Sequence, residues 1–221
     1  PWDAERVQRW LPAGFYGGGS EHVQRHHLYA RFVCMALHDL GHLPFAEPFP
    51  VIRLGGLITH AGARMSKSRG NVVNPDDYWA EHGRDVLRCA LLFSGPWDRD
   101  GSFHDRNITG IERFFGRAWR TVDRVLGESD IADPAGPGPQ AEALDRAVRE
   151  VTGAITKMRH NVALARLMEL QSRVRSVAGA RTFTLLLAPL APYLAEELWA
   201  RLGGEVSVQT QPWPTAAEES A

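Results

Sequence analysis

Lysine is almost missing from this 221-residue chain: its 25 Lys and Arg are 23 arginines and the two lysines Lys67 and Lys157. Each lysine therefore marks a place where a compact ammonium stands in a chain that otherwise uses planar guanidinium groups. Cysteine is scarce too. Cys34 and Cys89 lie in apolar helical patterns with no Cys or His at zinc-ligand spacing, which excludes a disulfide framework and points to buried thiols in a reducing cytoplasm. No apolar run reaches the roughly 18–20 residues of a membrane span, and no signal peptide opens the chain. Net charge is −1, which excludes a polycation that binds nucleic acid indiscriminately. Between Arg106 and Arg181 there are 13 Lys+Arg against 9 Asp+Glu, a faint surplus that solvated helix faces would also give. An initiator methionine is absent, and Pro1 suggests a processed, trimmed or incomplete piece of something longer.

What is present suits one large domain or two modest ones: 44% hydrophobic residues are ample for a packed core. The run from Gly14 to Gly19 reads as a short strand entering a glycine-rich turn, and a helix is expected from Glu21 to about Leu40, although its apolar spacing is only roughly helical. Pro44, Pro48 and Pro50 mark a loop. A second strand, Val51 to Leu54 with Leu57 and Ile58 beyond two glycines, leads into the loop Thr59 to Asn71. Asn74-Pro75-Asp76-Asp77 is a helix start with cap, first-turn proline and two acids. That helix stops near Gly83, and another runs from Arg84 to Ser94.

The remainder reads as all-helical. Ile108, Ile111, Phe114, Phe115, Ala118, Trp119, Val122 and Val125 form one apolar stripe; Leu144 to Met158, Leu164 to Val174, and Thr182 to Leu202 (interrupted by Pro189 and Pro192) form three more. Asp130 to Pro139 reads as a linker. The expected fold class is α/β followed by all-α, divided as residues 1–105 and 106–221.

Two constellations carry chemistry. In Arg64-Met65-Ser66-Lys67-Ser68-Arg69-Gly70-Asn71, a loop after a strand brings an ammonium, hydroxyl donors and further positive charge, the groups that stabilise a transferring phosphoryl or adenylyl group. The alternative is a basic surface loop. In Gly18-Gly19-Ser20-Glu21-His22 with His26 four residues on, the glycines allow close approach to a nucleotide, Glu21 can accept a ribose hydroxyl, and a helix would set His22 and His26 on one face. A capped helix with two polar histidines is the alternative, and a zinc pair lacks a third ligand.

The first loop resembles the KMSKS signature of class I aminoacyl-tRNA synthetases, with Arg64 in place of the first lysine. Trp10-Leu11-Pro12, Tyr16 to His22, His26 and Leu28-Tyr29-Ala30-Arg31-Phe32 are similar to the block that precedes KMSKS in bacterial leucyl enzymes. The resemblance continues through Asp85-Val86-Leu87-Arg88 and Leu92 to Pro96, like stem-contact helices. It then runs through His160-Asn161-Val162-Ala163, Leu187 to Tyr193, Glu197-Leu198-Trp199 and Pro212-Trp213-Pro214, like the anticodon-binding bundle.

The resemblance implies that Lys67, with Arg64 and Ser66, stabilises the reacting phosphate. Gly18, Gly19, Glu21, Gly56, Leu57, Ile58, Lys67 and Ser68 would bind ATP, accompanied by Mg2+, and His22 and His26 would line the leucine pocket. It further implies leucine and tRNA(Leu) as substrates and a partner segment bearing the HIGH motif, which this sequence lacks. A non-catalytic tRNA- or protein-binding module, and a paralogue activating another amino acid, remain the alternatives.

Overall fold

The computed structural model describes residues 2–128 and 139–216. The chain divides into two compact units, Pro1–Leu57 with Trp97–Asp100, and Ile58–Pro96 with Gly101–Ala221. In the first unit α1 (Ala4–Trp10) is capped by Asp3, whose carboxylate accepts from the Glu5 and Arg6 amides. Strands β1 (Tyr16–Gly19) and β2 (Ile52–Gly55) pair in parallel from Tyr16↔Ile52 to Gly19↔Gly55, with α2 (Leu28–Asp39) in the crossover between them.

Helix α2 is inside out. Cys34 is its one buried residue, whereas Leu28, Tyr29, Phe32, Val33 and Met35 are exposed, Tyr29 and Phe32 to 69% each. The other face holds the 41–50 loop: Arg31 pairs with Glu47 at 2.5 Å, and the Cys34 thiol donates to the Phe45 carbonyl at 3.6 Å. This explains why the sequence shows only a rough helical period there. The expected continuous helix from Glu21 is corrected as well. The chain makes a 3-10 turn over Ser20–His22 and a π turn over Val23–His27 before α2 begins.

The second unit opens with a three-stranded sheet of order β4-β3-β5, from β3 (Ile58–His60), β4 (Ala63–Arg64) and β5 (Gly101–Phe103). β3 runs antiparallel to β4 and parallel to β5. Helix α3 (Pro75–His82) starts as expected, with the Asn74 side chain accepting from the Asp76 amide and Pro75 in the first turn. α4 (Arg84–Phe93) and α5 (Asp105–Gly127) follow, then α6 (Pro139–Thr156), α7 (His160–Gln171), α8 (Val177–Leu187) and α9 (Pro192–Arg201). An α/β stretch is thus followed by helices. Of the expected linker, residues 130–138 lie outside the described residues, and Pro139 opens α6.

The core of this unit is lined by the α5 stripe, Ile108, Ile111, Phe114, Phe115, Ala118, Val122 and Val125, with Phe114 edge-on to Phe183 of α8 at 6.3 Å. The interrupted helix expected over Thr182 to Leu202 is two helices, because Pro192 cannot continue α8 and instead starts α9. α4 secures the joint between them. Asp85, 7% exposed, accepts from the Leu194 amide in the first turn of α9 at 2.8 Å. The Arg88 guanidinium donates to the Leu190 and Pro189 carbonyls at 3.1 and 3.2 Å.

Candidate active-site elements

The loop after β4 is a folded object. Ala61 and Gly62, both at positive φ (51° and 74°), turn β3 into β4 as a tight two-residue hairpin requires. A single 3-10 turn then spans Lys67–Arg69 and closes on Gly70 in the left-handed region. The Asn71 side chain clips the two ends together: its Oδ1 accepts from the Ser66 amide at 2.9 Å and its Nδ2 donates to the Arg64 carbonyl at 3.2 Å. Ser66 and Ser68 share a hydroxyl hydrogen bond of 2.8 Å. Lys67 stands exposed on this turn, and no ion pair to it is found among the described residues. A clipped backbone with an unneutralised ammonium at its apex can receive a polyanion without first breaking an internal salt bridge.

In the first unit β1 ends at Gly19, and the Glu21 carboxylate folds back over it. A Cβ on Gly19 would lie 2.7 Å from the carboxylate carbon. Glu21, His22 and His26 are exposed, and Gly18 and Gly19 are half-buried. The π turn, in which the Leu28 amide reaches the Val23 carbonyl, carries two adjacent histidines into an aromatic cluster. The His26 ring lies 5.4 Å from Tyr16, and His27 lies 4.7 Å from Tyr16 and 5.8 Å from Phe49. His22 and His26 are therefore not the pair on an α-helical face that their spacing suggests.

His27 is 3% exposed, and its Nε2 has no hydrogen-bond partner among the described residues. Burial, reinforced by the neighbouring His26, His22 and Arg31 charges, pushes its pKa below the usual histidine range. Its neutral ring backs the exposed His26.

Past β2 the chain makes a close approach that only glycine permits. A Cβ on Gly56 would overlap the Arg99 carbonyl and lie 2.5 Å from the Asp100 nitrogen. The Gly56 amide donates to the Trp97 carbonyl and the Leu57 amide to the Asp100 carboxylate, each at 2.8 Å. Both amides of this segment are thus engaged within the chain. Ile58 opens β3 and is exposed.

Of the sequence-derived residues, Gly18, Gly19, Glu21, His22, His26, Gly56 and Leu57 belong to the first unit. Ile58, Arg64, Ser66, Lys67 and Ser68 belong to the second. Three residues with evident roles were not singled out as such: Asn71, whose asparagine at the loop's end was the available signal; His27, which spacing alone files as an apolar position; and Asp85, whose partner is 109 residues away.

Comparison with known proteins follows the same order along the chain. Residues 1–104 match the family model of class I tRNA synthetases (I, L, M and V), and residues 177–221 match that of the anticodon-binding domain of tRNA ligase. The leucine--tRNA ligase of Rubrobacter xylanophilus is 43% identical over 99% of this chain, and that of Dehalococcoides mccartyi is 37% identical over all of it. The chain spans 28% of the length of each of these relatives. A crystal structure of an Agrobacterium radiobacter LeuRS in ternary complex with tRNA and LeuAMS superimposes with a TM-score of 0.86 at 31% identity, covering 96% of this chain and 30% of that one. In sequence and in fold, the chain is a class I aminoacyl-tRNA synthetase chain of the leucine--tRNA ligase type.

Proposed function

We propose that this chain is the KMSKS side of a cytoplasmic leucyl-tRNA synthetase, which activates leucine with ATP and transfers it to tRNA(Leu) together with a HIGH-motif segment. On this reading residues 1–105 are the second half of the catalytic domain with its stem-contact helices, and residues 106–221 the anticodon-binding bundle. The carrying observation is Lys67, an exposed ammonium on a clipped loop in a chain that has only two lysines.

In the activation step a leucine carboxylate oxygen bonds to the α-phosphorus while the bond to the pyrophosphate oxygen breaks. Lys67, with Arg64 and the Ser66 hydroxyl beside it, stabilises the negative charge that grows on the phosphate oxygens, and no proton need move. Ser68, already bonded to Ser66, adds a donor for the phosphates. Glu21 accepts from the ribose hydroxyls where Gly18 and Gly19 let the nucleotide approach. The backbone of Gly56 and Leu57 holds the adenine, and Ile58 offers its ring an apolar contact. His22 lines the leucine site together with His26, which is backed by Tyr16 and His27. Mg2+ would enter with the ATP substrate and neutralise part of the triphosphate's charge.

Leucine-dependent ATP–pyrophosphate exchange tests this reading, with the chain alone and mixed with a HIGH-containing segment. Exchange is expected only in the mixture, and Lys67→Ala should lower it by about 10²–10³. Full exchange with the alanine variant would remove Lys67 from the mechanism. No exchange in the mixture, from folded protein, would leave a non-catalytic module.

A further inference from the structure

The two faces of the parallel pair β1–β2 are built differently. Side chains alternate along a strand, so the register sets Tyr16, Gly18, Ile52 and Leu54 on one face and Gly17, Gly19, Arg53 and Gly55 on the other. On the first face Tyr16 is packed by the rings of His26, His27 and Phe49. On the second, Arg53 is the one side chain that the two strands supply. Glycine weakens a strand, and it is found where a ligand or another backbone comes close.

Trp97 stands against this glycine face. A Cβ on Gly55 would lie 3.2 Å from its Cε2 and Cζ2 atoms and 3.5 Å from its Nε1, and a Cβ on Gly17 would lie 3.7 Å from the same Cζ2. The indole therefore reaches across both strands. Glu21 covers the third glycine of the face, Gly19, which is the register partner of Gly55. Neighbouring strands are about 4.8 Å apart. An indole over Gly55 and a carboxylate over Gly19 are thus side by side on one face, about as far apart as the base and the ribose of a nucleoside.

The indole is held but not sunk. Its backbone is fixed, because the Trp97 carbonyl accepts from the Gly56 amide and the Asp100 carboxylate from the Leu57 amide, each at 2.8 Å. Its side chain nevertheless keeps 37% exposure, where a tryptophan that only filled a core would be covered. Gly55 ends β2 and Gly19 ends β1. The carboxyl ends of parallel strands are where sheets of this kind take their ligands.

We infer that Trp97 is a nucleotide-binding residue whose indole carries the adenine ring of ATP while Glu21 holds the ribose. This rests on the reading proposed above, which gives Glu21 the ribose and the backbone of Gly56 and Leu57 the adenine. Trp97 adds the contact to the face of the ring, where one aromatic system stacks on another.

The test uses the full chain mixed with a HIGH-containing segment, and leucine-dependent ATP–pyrophosphate exchange gives KM for ATP and for leucine separately. Trp97→Leu should raise KM for ATP about 5–150-fold, the range for loss of one stacked base, with kcat and KM for leucine within about threefold of the parent. Trp97→Phe, which keeps a smaller ring, should recover most of that loss. Trp10→Leu, a change of the same kind in the same unit, should leave KM for ATP as in the parent. Unchanged KM for ATP in Trp97→Leu overturns the assignment. So does a rise in both KM values alike, or a fall in kcat alone, since either marks a merely structural role. Should Trp97→Leu unfold, fluorescence decides instead. Saturating ATP with Mg2+ should quench a part of the parent's tryptophan emission that Trp97→Phe lacks, and equal quenching of the two overturns the assignment. Absence of exchange in the parent mixture defeats the proposed activity on its own, and the same difference in quenching then still decides Trp97.

Discussion

Gly56→Ala should be among the most disruptive single-methyl changes in the first unit. The added carbon would overlap the Arg99 carbonyl, and that backbone has no soft direction in which to yield because Trp97 and Asp100 on either side receive the Gly56 and Leu57 amides. Losing those two hydrogen bonds costs about 1 kcal/mol each, and the forced displacement about 1–3 kcal/mol more. The sum, about 3–5 kcal/mol, is a large part of the stability of an ordinary domain. A single melting temperature is a poor readout for a chain of two units. Amide hydrogen exchange, followed on peptides covering residues 52–57 and 97–100, reports the local free energy directly. Gly14→Ala, where the new methyl would meet nothing within 4 Å, is the control. If Gly56→Ala keeps parental protection to within about 0.5 kcal/mol while the control behaves normally, the close approach at Arg99 is wrong.

Acidification offers a second check. His27 has its folded pKa below 6.5, so the unfolded chain takes up the proton first. Stability is intact above pH 6.5 and is lost as pH falls below it toward the folded value, at up to about 1.4 kcal/mol per pH unit. Exchange protection of the first unit should therefore fall between pH 7 and 5 in the parent and fall less in His27→Phe; equal falls would count against a buried neutral ring. Asp85→Ala should cost about 2 kcal/mol in denaturant unfolding of the second unit, the worth of a charge-assisted cap on α9, while Asp85→Asn, which keeps an acceptor, should cost less. Asn71→Ala removes both bonds of the loop clip and should speed amide exchange at Ser66 and its neighbours several-fold without changing the core; unchanged exchange would show that the clip does not hold the loop.

Legibility in the sequence followed the range of the interactions involved. The Asn74–Pro75 start of α3 is written in four adjacent residues, and the helix begins there. The α5 stripe repeats over about five turns, and packing obeys it. The π turn at Val23–His27 has no comparable signature, since a one-residue excess in a helical turn leaves no periodic trace in five residues. The break between α8 and α9 was visible as Pro189 and Pro192, but its geometry depends on Asp85 and Arg88 roughly a hundred residues earlier. Within the candidate site, residue types were legible from the motifs. The clip by Asn71 and the burial of His27 were not, because both are set by backbone geometry.

The outward apolar face of α2 has a consequence at the bench. Fluorescent dyes that light up on greasy surfaces are routinely used to diagnose loosely packed intermediates. This chain presents Leu28, Tyr29, Phe32, Val33 and Met35 to water in its ordered state, so dye binding by the purified protein would report a well-formed helix rather than a melted core. Near-ultraviolet dichroism distinguishes the two, since a molten chain loses that signal and this one keeps it.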